Sequence, residues 1–90
     1  MELGTGWIKS VKPGMHEVHI WRERRDDSGR FRGLDTTYYR ECDTPILTAA
    51  MELEGQKVIT ASELLESGGC TLVAIQHIHE NHEPINALIP

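Results

Sequence analysis

The sequence reads HEVHIWRER from His16 to Arg24 and FRGLDTTYYRE from Phe31 to Glu41, and these two stretches decide the fold. Both are rich in β-branched and aromatic residues, which favour strands. Between them, DDSG at positions 26–29 supplies carboxylate acceptors for a tight turn and a glycine for a left-handed backbone position. The pattern predicts a β-hairpin over residues 15–41.

The chain that follows the hairpin carries signals for helices and for one more strand. Asp43 precedes Thr44-Pro45, an order typical of a helix N-cap with proline in the first turn. Residues 45–54 have apolar side chains at helical spacing and are interpreted as a helix, with a pair of strands turning near Gly55 as the alternative. A capping-box pattern at 60–63 predicts a second short helix. The apolar run at 70–79 predicts an interior strand.

These elements predict one α+β domain over residues 1–90. The expected fold is a small antiparallel β-sheet, made of the hairpin 15–41 and the strand 70–79, packed on one or two helices. A chain of 90 residues buries only about two-thirds of its unfolded surface, which leaves a thin margin of stability. An oligomer interface would add buried surface, and residues 83–89 are apolar enough to supply one. We therefore expect a homodimer.

Composition excludes some classes of protein. The longest apolar run, Leu72 to Ile75, has four residues, far short of the ~18 that a membrane span needs, so no membrane association is expected. The N-terminus shows no basic region followed by an apolar stretch, so no signal peptide is expected. Cys42 and Cys70 form no Cys-x-x-Cys pair. We expect both thiols to be reduced and the protein to be cytoplasmic.

Charge is unevenly distributed along the chain, although the total is −5. Residues 1–45 hold eight basic and eight acidic groups, whereas residues 46–90 hold Lys57 against six acids. Arginines crowd the hairpin, and guanidinium groups bind phosphates. The candidate contacts to nucleic acid or another anionic partner are Arg22, Arg24, Arg30 and Arg32. The net negative charge disfavours nucleic acid, and cross-strand ion pairs are the alternative use of these arginines.

Aromatic side chains alternate with the arginines in the same hairpin. Trp21, Tyr38 and Tyr39 are candidates for a protein interface or for ligand contact. Such rings also stack on unpaired nucleotide bases, which gives the arginine-rich hairpin a second feature suited to single-stranded nucleic acid.

A cluster of histidines follows the last predicted strand. His77 and His79 lie two residues apart and share one face of an extended strand, and His82 follows in the next loop. Three imidazoles with nearby carboxylates suit a divalent metal such as zinc, iron or nickel. The stretch His77 to His82 resembles the His-x-His-x-Asp-His loop of the metallo-β-lactamase superfamily, with Asn81 in the place of the aspartate. The spacing from His77 to Glu83 is similar to the first motif of cupins. The alternative is that all three are partly exposed histidines without a metal.

The sequence contains no complete catalytic signature. It has no Gly-x-Ser-x-Gly motif, and its cysteines lack an activating partner in sequence. The preferred interpretation is a small interaction or ligand-binding protein without a cofactor that acts as a homodimer. A metal-binding protein or metal-dependent enzyme built on the histidine cluster is one alternative, and a nucleic-acid-associated protein built on the arginine hairpin is the other.

Overall fold

Five β-strands and one α-helix make up residues 1–79, the part of the chain that the computed structural model describes. In chain order they are β1 (Glu2–Lys12), β2 (Glu17–Arg25), β3 (Phe31–Tyr39), α1 (Thr44–Glu52), β4 (Lys57–Leu64) and β5 (Cys70–His77). A single 3₁₀ turn, Pro13–Met15, joins β1 to β2. The predicted apolar segment at 83–89 lies outside the described residues.

The predicted hairpin is confirmed as β2 and β3, which pair in antiparallel register from Val18 opposite Tyr39 to Arg25 opposite Phe31. Asp26 organises the turn, because its Oδ1 accepts from the backbone N–H groups of Ser28 at 2.9 Å and Arg30 at 3.0 Å. Gly29 takes the left-handed conformation that the turn requires, with φ of 83°. The turn chemistry therefore sets the register of the two strands.

The sheet closes into a barrel with the strand order β1-β2-β3-β5-β4. Strand β1 closes it by pairing with both β2 and β4, so that Trp7 lies between Trp21 and Lys57. The β3–β5 junction is parallel and rests on one pair, Tyr39 opposite Cys70. With its helix between the third and fourth strands, this connectivity is that of the OB-fold, a five-stranded Greek-key barrel.

The structure corrects two parts of the expected fold. The sheet contains a parallel junction and a long first strand in addition to the predicted hairpin and last strand. The second helix, predicted from residue 60 onward, is wrong, because residues 57–64 form β4. Val58 and Ile59 favour a strand, and β4 pairs with β1 on one side and with β5 on the other. This tertiary pairing outweighs a local capping pattern.

The predicted helix at 45–54 is confirmed as α1, which covers one end of the barrel. Asp43 caps it, accepting from the backbone N–H of Ile46 at 3.2 Å. Its buried residues, Ile46, Leu47 and Ala50, join the core cluster that fills this half of the barrel. The core members from the strands include Ile8, Val11, Val18, Ile20, Val58 and Leu72.

The opposite end of the barrel is open, and β1 places two residues without side chains there. Gly4 and Gly6 occupy inward-facing positions opposite Thr60 and Val58 of β4. A Cβ on Gly6 would lie 2.4 Å from the backbone oxygen of Trp21, so only glycine fits there.

No helix within residues 1–79 has the length and apolar character needed to cross a membrane. Cys42 is buried, Cys70 is partly buried, and both carry free thiols.

Candidate functional site

The outer surface of β1, β2 and β3 carries a row of aromatic side chains. Ile20 is fully buried in the barrel, so strand alternation turns its neighbours His19 and Trp21 to the outside. The β3 residues opposite them, Tyr38 and Thr36, lie on the same surface. Lys9 of β1 joins this surface, because its Nζ donates to Thr36 Oγ1 at 3.1 Å. We call Lys9, His19, Trp21, Thr36 and Tyr38 the aromatic face.

Two contacts hold the rings of the aromatic face in place. Lys9 Nζ lies 5.5 Å from the centre of the Trp21 ring, a cation–π contact. His19 packs edge to face against Tyr38, with ring centres 4.7 Å apart. His19 is itself held by the Oγ of Ser10 at 3.3 Å from Nδ1 and the carboxylate of Glu17 at 3.0 Å from Nε2. Tyr38 remains 57% exposed, so its side chain is accessible to a ligand.

A second lysine–indole contact continues this arrangement across β1 towards β4. Lys57 Nζ lies 5.3 Å from the ring centre of Trp7, which is buried. Trp7 stands opposite Trp21 in the β1–β2 register. Two ammonium groups, those of Lys9 and Lys57, are therefore positioned over neighbouring indoles on one side of the barrel.

The open end of the barrel contains a cavity of about 540 Å³, within the size range of small-molecule sites. Arg22 is half-buried there, and its Nη1 donates to the backbone oxygen of Thr5 at 2.7 Å. Its Nη2 donates to the hydroxyls of Tyr39 and, at 3.0 Å, Thr60. The residues that line this cavity, which we call the mouth cavity, are Glu2, Leu3, Gly4, Thr5, Arg22, Glu23, Arg25, Thr37, Tyr39, Thr60, Ser62 and Cys70.

The charges around the mouth cavity are only partly paired. Within residues 1–79, no carboxylate oxygen lies within 4.0 Å of the Arg22 guanidinium. Glu23 binds Arg25 instead, at 3.0 and 2.8 Å from Nε and Nη2. Glu2 lines the cavity and makes no ion pair with a described residue. Arg22 thus keeps a positive charge in a partly enclosed space.

The four arginines predicted as one anionic contact surface are not brought together. Arg22 points into the mouth cavity, whereas Arg24, Arg30 and Arg32 are exposed at the far part of the hairpin. Arg32 Nε contacts Asp26 Oδ2 at 2.9 Å, and Arg24 Nη1 lies 3.9 Å from an oxygen of Asp35. These contacts agree with the alternative given by the sequence, in which the hairpin arginines form ion pairs with acids across the hairpin.

Asp26 is the titratable group most affected by the hairpin turn. The Ser28 hydroxyl donates to its carboxylate at 2.6 Å and lowers its pKa, with help from the Arg30 backbone N–H and the Arg32 guanidinium. The carboxylate is therefore held in its charged form at the tip of an arginine-rich loop.

The three aromatic candidates separate into two sites. Trp21 and Tyr38 both lie on the aromatic face. Tyr39 faces the other way, is 4% exposed, and presents its hydroxyl to the mouth cavity beside Arg22. The alternation along β3 therefore assigns Tyr38 and Tyr39 to different surfaces.

Two of the three histidines predicted as metal ligands are adjacent. The rings of His77 and His79 meet edge to face with centres 4.3 Å apart. His82 lies outside the described residues. Within the described part of the chain, no group of three His, Cys, Asp or Glu side chains is placed to hold a metal ion. The metal site stays a prediction.

Sequence reasoning missed Lys9 and Thr60, which contribute to the aromatic face and to the mouth cavity. Lys9 lies where the sequence shows only a weak strand pattern, and Thr60 starts the segment that the capping-box pattern predicts as a helix, so neither was predicted as a site residue. The sequence held one signal for β1: Gly4 and Gly6 lie two residues apart, just before Trp7. Glycine within a strand often marks a place where another backbone approaches closely.

Comparison with known proteins gave no match: no protein-family model, no curated protein and no solved structure is detectably similar to this chain.

Proposed function

We propose that this protein is a binding module that holds single-stranded nucleic acid on the aromatic face. One observation carries the proposal: the exposed ring of Tyr38 lies on the same outer surface as Trp21, and the ammonium group of Lys9 lies over the Trp21 indole. Stacked bases need flat exposed rings, and the phosphates that link them need nearby cations. The aromatic face supplies both within three neighbouring strands.

The expected contacts follow from the chemistry of each side chain. A base stacked on Tyr38 would contribute about 1–3 kcal/mol, with little preference for sequence, because every base has a π face. Lys9 would contact a phosphate while keeping its bond to Thr36. Phe31, near the hairpin tip, is a further 41% exposed ring, and its centre lies 5.7 Å from the guanidinium carbon of Arg25.

The barrel architecture supports this choice of surface. Barrels of the OB type bind oligonucleotides on the face formed by their second and third strands. Here β2 and β3 carry four of the five residues of the aromatic face, namely His19, Trp21, Thr36 and Tyr38. Fold analogy alone does not assign a function, so the proposal rests on the side chains and uses the architecture as support.

The net charge of −5 is compatible with this proposal because residues 17–39 hold five arginines and five acids, and the excess of acids lies in residues 46–90. Glu52 ends α1, Glu54 follows it, and Glu63 lies on β4, away from β2 and β3. Local charge at a binding surface determines the attraction of a phosphate more than the total does, since charges beyond about 8–10 Å are screened at physiological salt. The overall negative charge is expected to keep the affinity modest.

The sequence-based expectation of a ligand-binding homodimer is retained as part of this proposal. A second copy would place two aromatic faces in one particle, so that one strand could span both and gain effective affinity. Native mass spectrometry of the complex gives the number of subunits and the number of bound strands together.

Fluorescence anisotropy with a labelled oligothymidylate tests the proposal through Tyr38. Replacing Tyr38 with Ala is expected to weaken binding about tenfold or more, because the stacking surface is lost. Replacing Tyr38 with Phe keeps the ring and should change the Kd less than about twofold. Equal affinities for the Ala and Phe variants would contradict a stacking role.

The salt dependence of the same titration tests the role of Lys9. If Lys9 contacts one phosphate, Lys9→Gln should reduce the slope of log K against log salt by about 0.7. Arg40→Gln is the matched control, since Arg40 is exposed beyond the end of β3 and removes the same charge. Equal losses in both variants would show that only general attraction is being measured.

A further inference from the structure

We infer that the mouth cavity is a second binding site, which takes a small ligand through a phosphate or carboxylate group that contacts Arg22. This site is separate from the aromatic face. Arg22 belongs to the inward row of β2 that also contains Val18 and Ile20, whereas Trp21 belongs to the outward row. Anion binding in the mouth cavity can therefore be tested independently of single-strand binding on the aromatic face.

The first observation that points to an anion is the charge of Arg22, which has no carboxylate partner among residues 1–79. A charged group that is taken partly out of water is ordinarily paired or fully hydrogen-bonded. Arg22 has five N–H donors, and the protein occupies three of them through Thr5, Tyr39 and Thr60. All three acceptors are neutral, so the guanidinium is held in place without being neutralised.

The shape of the mouth cavity is the second observation. A space of about 540 Å³ lies beside the guanidinium and is wide enough for a ligand of metabolite size. Gly4 helps to keep this space, because a Cβ there would lie 3.1 Å from Arg22 Nη1. Residues with larger side chains at position 4 would push the guanidinium away from its three acceptors.

The polar lining is the third observation, and it indicates the chemical class of the ligand. Thr37 and Ser62 also line the cavity with hydroxyl-bearing side chains, and the Ser62 hydroxyl donates to the backbone oxygen of Glu2 at 3.4 Å. Hydroxyls donate to oxyanions and accept from ligand hydroxyls, so a compact, hydroxylated ligand with one acidic group fits best. Glu2 and Glu23 also line the cavity, and Glu23 is neutralised by Arg25. The open carboxylate of Glu2 should oppose the anion.

NMR titration of the full chain with inorganic phosphate, and separately with acetate, at constant ionic strength tests the site. Saturable shifts are expected at the backbone amides of Thr5, Thr37 and Thr60 with at least one of the two anions. The anion that saturates identifies the acidic group. Linear, unsaturable shifts with both anions, or shifts confined to exposed lysines, would overturn the proposal.

Variants of three charged residues sharpen the test. Arg22→Gln should weaken anion binding about tenfold or more, because the charged hydrogen bonds are lost. Arg24→Gln is the matched control, since Arg24 is the next arginine on β2, carries the same charge and does not line the cavity. Glu2→Gln should strengthen binding about twofold to threefold by removing the opposing charge. Equal effects of the two arginine variants would overturn the assignment to Arg22.

A loss of folding in Arg22→Gln would not end the test. Gly4→Ala keeps every charge and moves only the guanidinium, so it should weaken anion binding while the outer residues of the aromatic face keep their resonances. Thr37→Val removes one hydroxyl at nearly constant volume and should weaken binding about threefold, within the range of one neutral hydrogen bond. Unchanged anion affinity in both variants would overturn the proposal.

Discussion

Arg22 joins β2 to β4 across the open end of the barrel, with its Nη2 donating to Thr60 Oγ1 at 3.0 Å. These two strands do not pair with each other, because β1 lies between them in the sheet. Thr60 is 1% exposed, so its hydroxyl has little access to solvent. This side-chain hydrogen bond therefore links β2 to β4, which share no backbone hydrogen bonds.

Removing the hydrogen bond between Arg22 and Thr60 should destabilise the barrel measurably. Thr60→Val keeps the shape of the side chain and leaves Arg22 without one acceptor, which should lower the free energy of unfolding by about 1–2 kcal/mol. Urea denaturation followed by circular dichroism measures the change. Thr36→Val is the control: it removes the surface bond from Lys9 and should change stability by less than about 0.5 kcal/mol. Equal losses in the two variants would contradict a special role for Thr60.

Gly6 should be the glycine that tolerates substitution least. A Cβ at this position would lie 2.4 Å from the Trp21 backbone oxygen and 2.7 Å from Ile20 Cγ2, and backbone cannot rotate away. Gly6→Ala is expected to cost about 3 kcal/mol because β1 must move away from β2. Gly14→Ala is the comparison, since a Cβ there meets no atom within 4 Å. Equal melting temperatures for Gly6→Ala and Gly14→Ala would contradict the close approach of β1 to β2 at Gly6.

The hairpin and the helix were predictable because their signals are local. The turn residues 26–29 and the cap at Asp43 make contacts within a few positions along the chain. β1 and β4 were harder to predict, because each pairs with its neighbour in sequence, β2 or β5, and also with the other, which joins residues far apart in the chain. Gly4 pairs with Thr60 across 56 positions. The local sequence Thr60-Ala61-Ser62-Glu63 does not indicate that β1 is its partner.

The candidate site was predictable in its residue types and not in its geometry. Trp21, Tyr38 and Arg22 were singled out, yet strand alternation sends Arg22 to the barrel interior and the two aromatic rings to the outer surface. Lys9 meets them only because β1 pairs beside β2. Arrangement of side chains on a closed barrel depends on register, which a single sequence specifies weakly when neither face of a strand is purely apolar.

The pKa of Asp26 should lie below its ordinary value of 3.8 in the folded protein, chiefly because the Ser28 hydroxyl donates to its carboxylate. A carboxyl with a lowered folded pKa stabilises the fold above its unfolded pKa, and this contribution is lost as the pH falls through the folded value. The hairpin turn should therefore loosen only below about pH 4. Carbon-13 NMR titration of the Asp26 carboxyl measures the pKa directly, and Ser28→Ala should return it towards 3.8. An unchanged pKa in Ser28→Ala would contradict this cause.

The histidine cluster gives a prediction about metal content. The proposed binding module needs no metal, so we expect the protein to carry no stoichiometric metal, and the rings of His77 and His79, which meet edge to face, are where a metal would contradict this. Native mass spectrometry with elemental analysis, on protein purified without chelator or histidine tag, measures metal content and subunit number together. One zinc or nickel per chain that is lost in His79→Ala would contradict this expectation and establish the alternative function. A dimer without metal would agree with the proposed binding module.

The central claim is that a single strand binds the outer surface of β1, β2 and β3. The most direct test is a ¹H–¹⁵N correlation spectrum of the labelled protein recorded during titration with an oligothymidylate. We expect saturable shifts at Lys9, His19, Trp21 and Tyr38, including the Trp21 indole N–H, with α1 unaffected. Shifts that cluster on α1 or at the β4–β5 turn, or a spectrum that does not change at saturating strand, would contradict it.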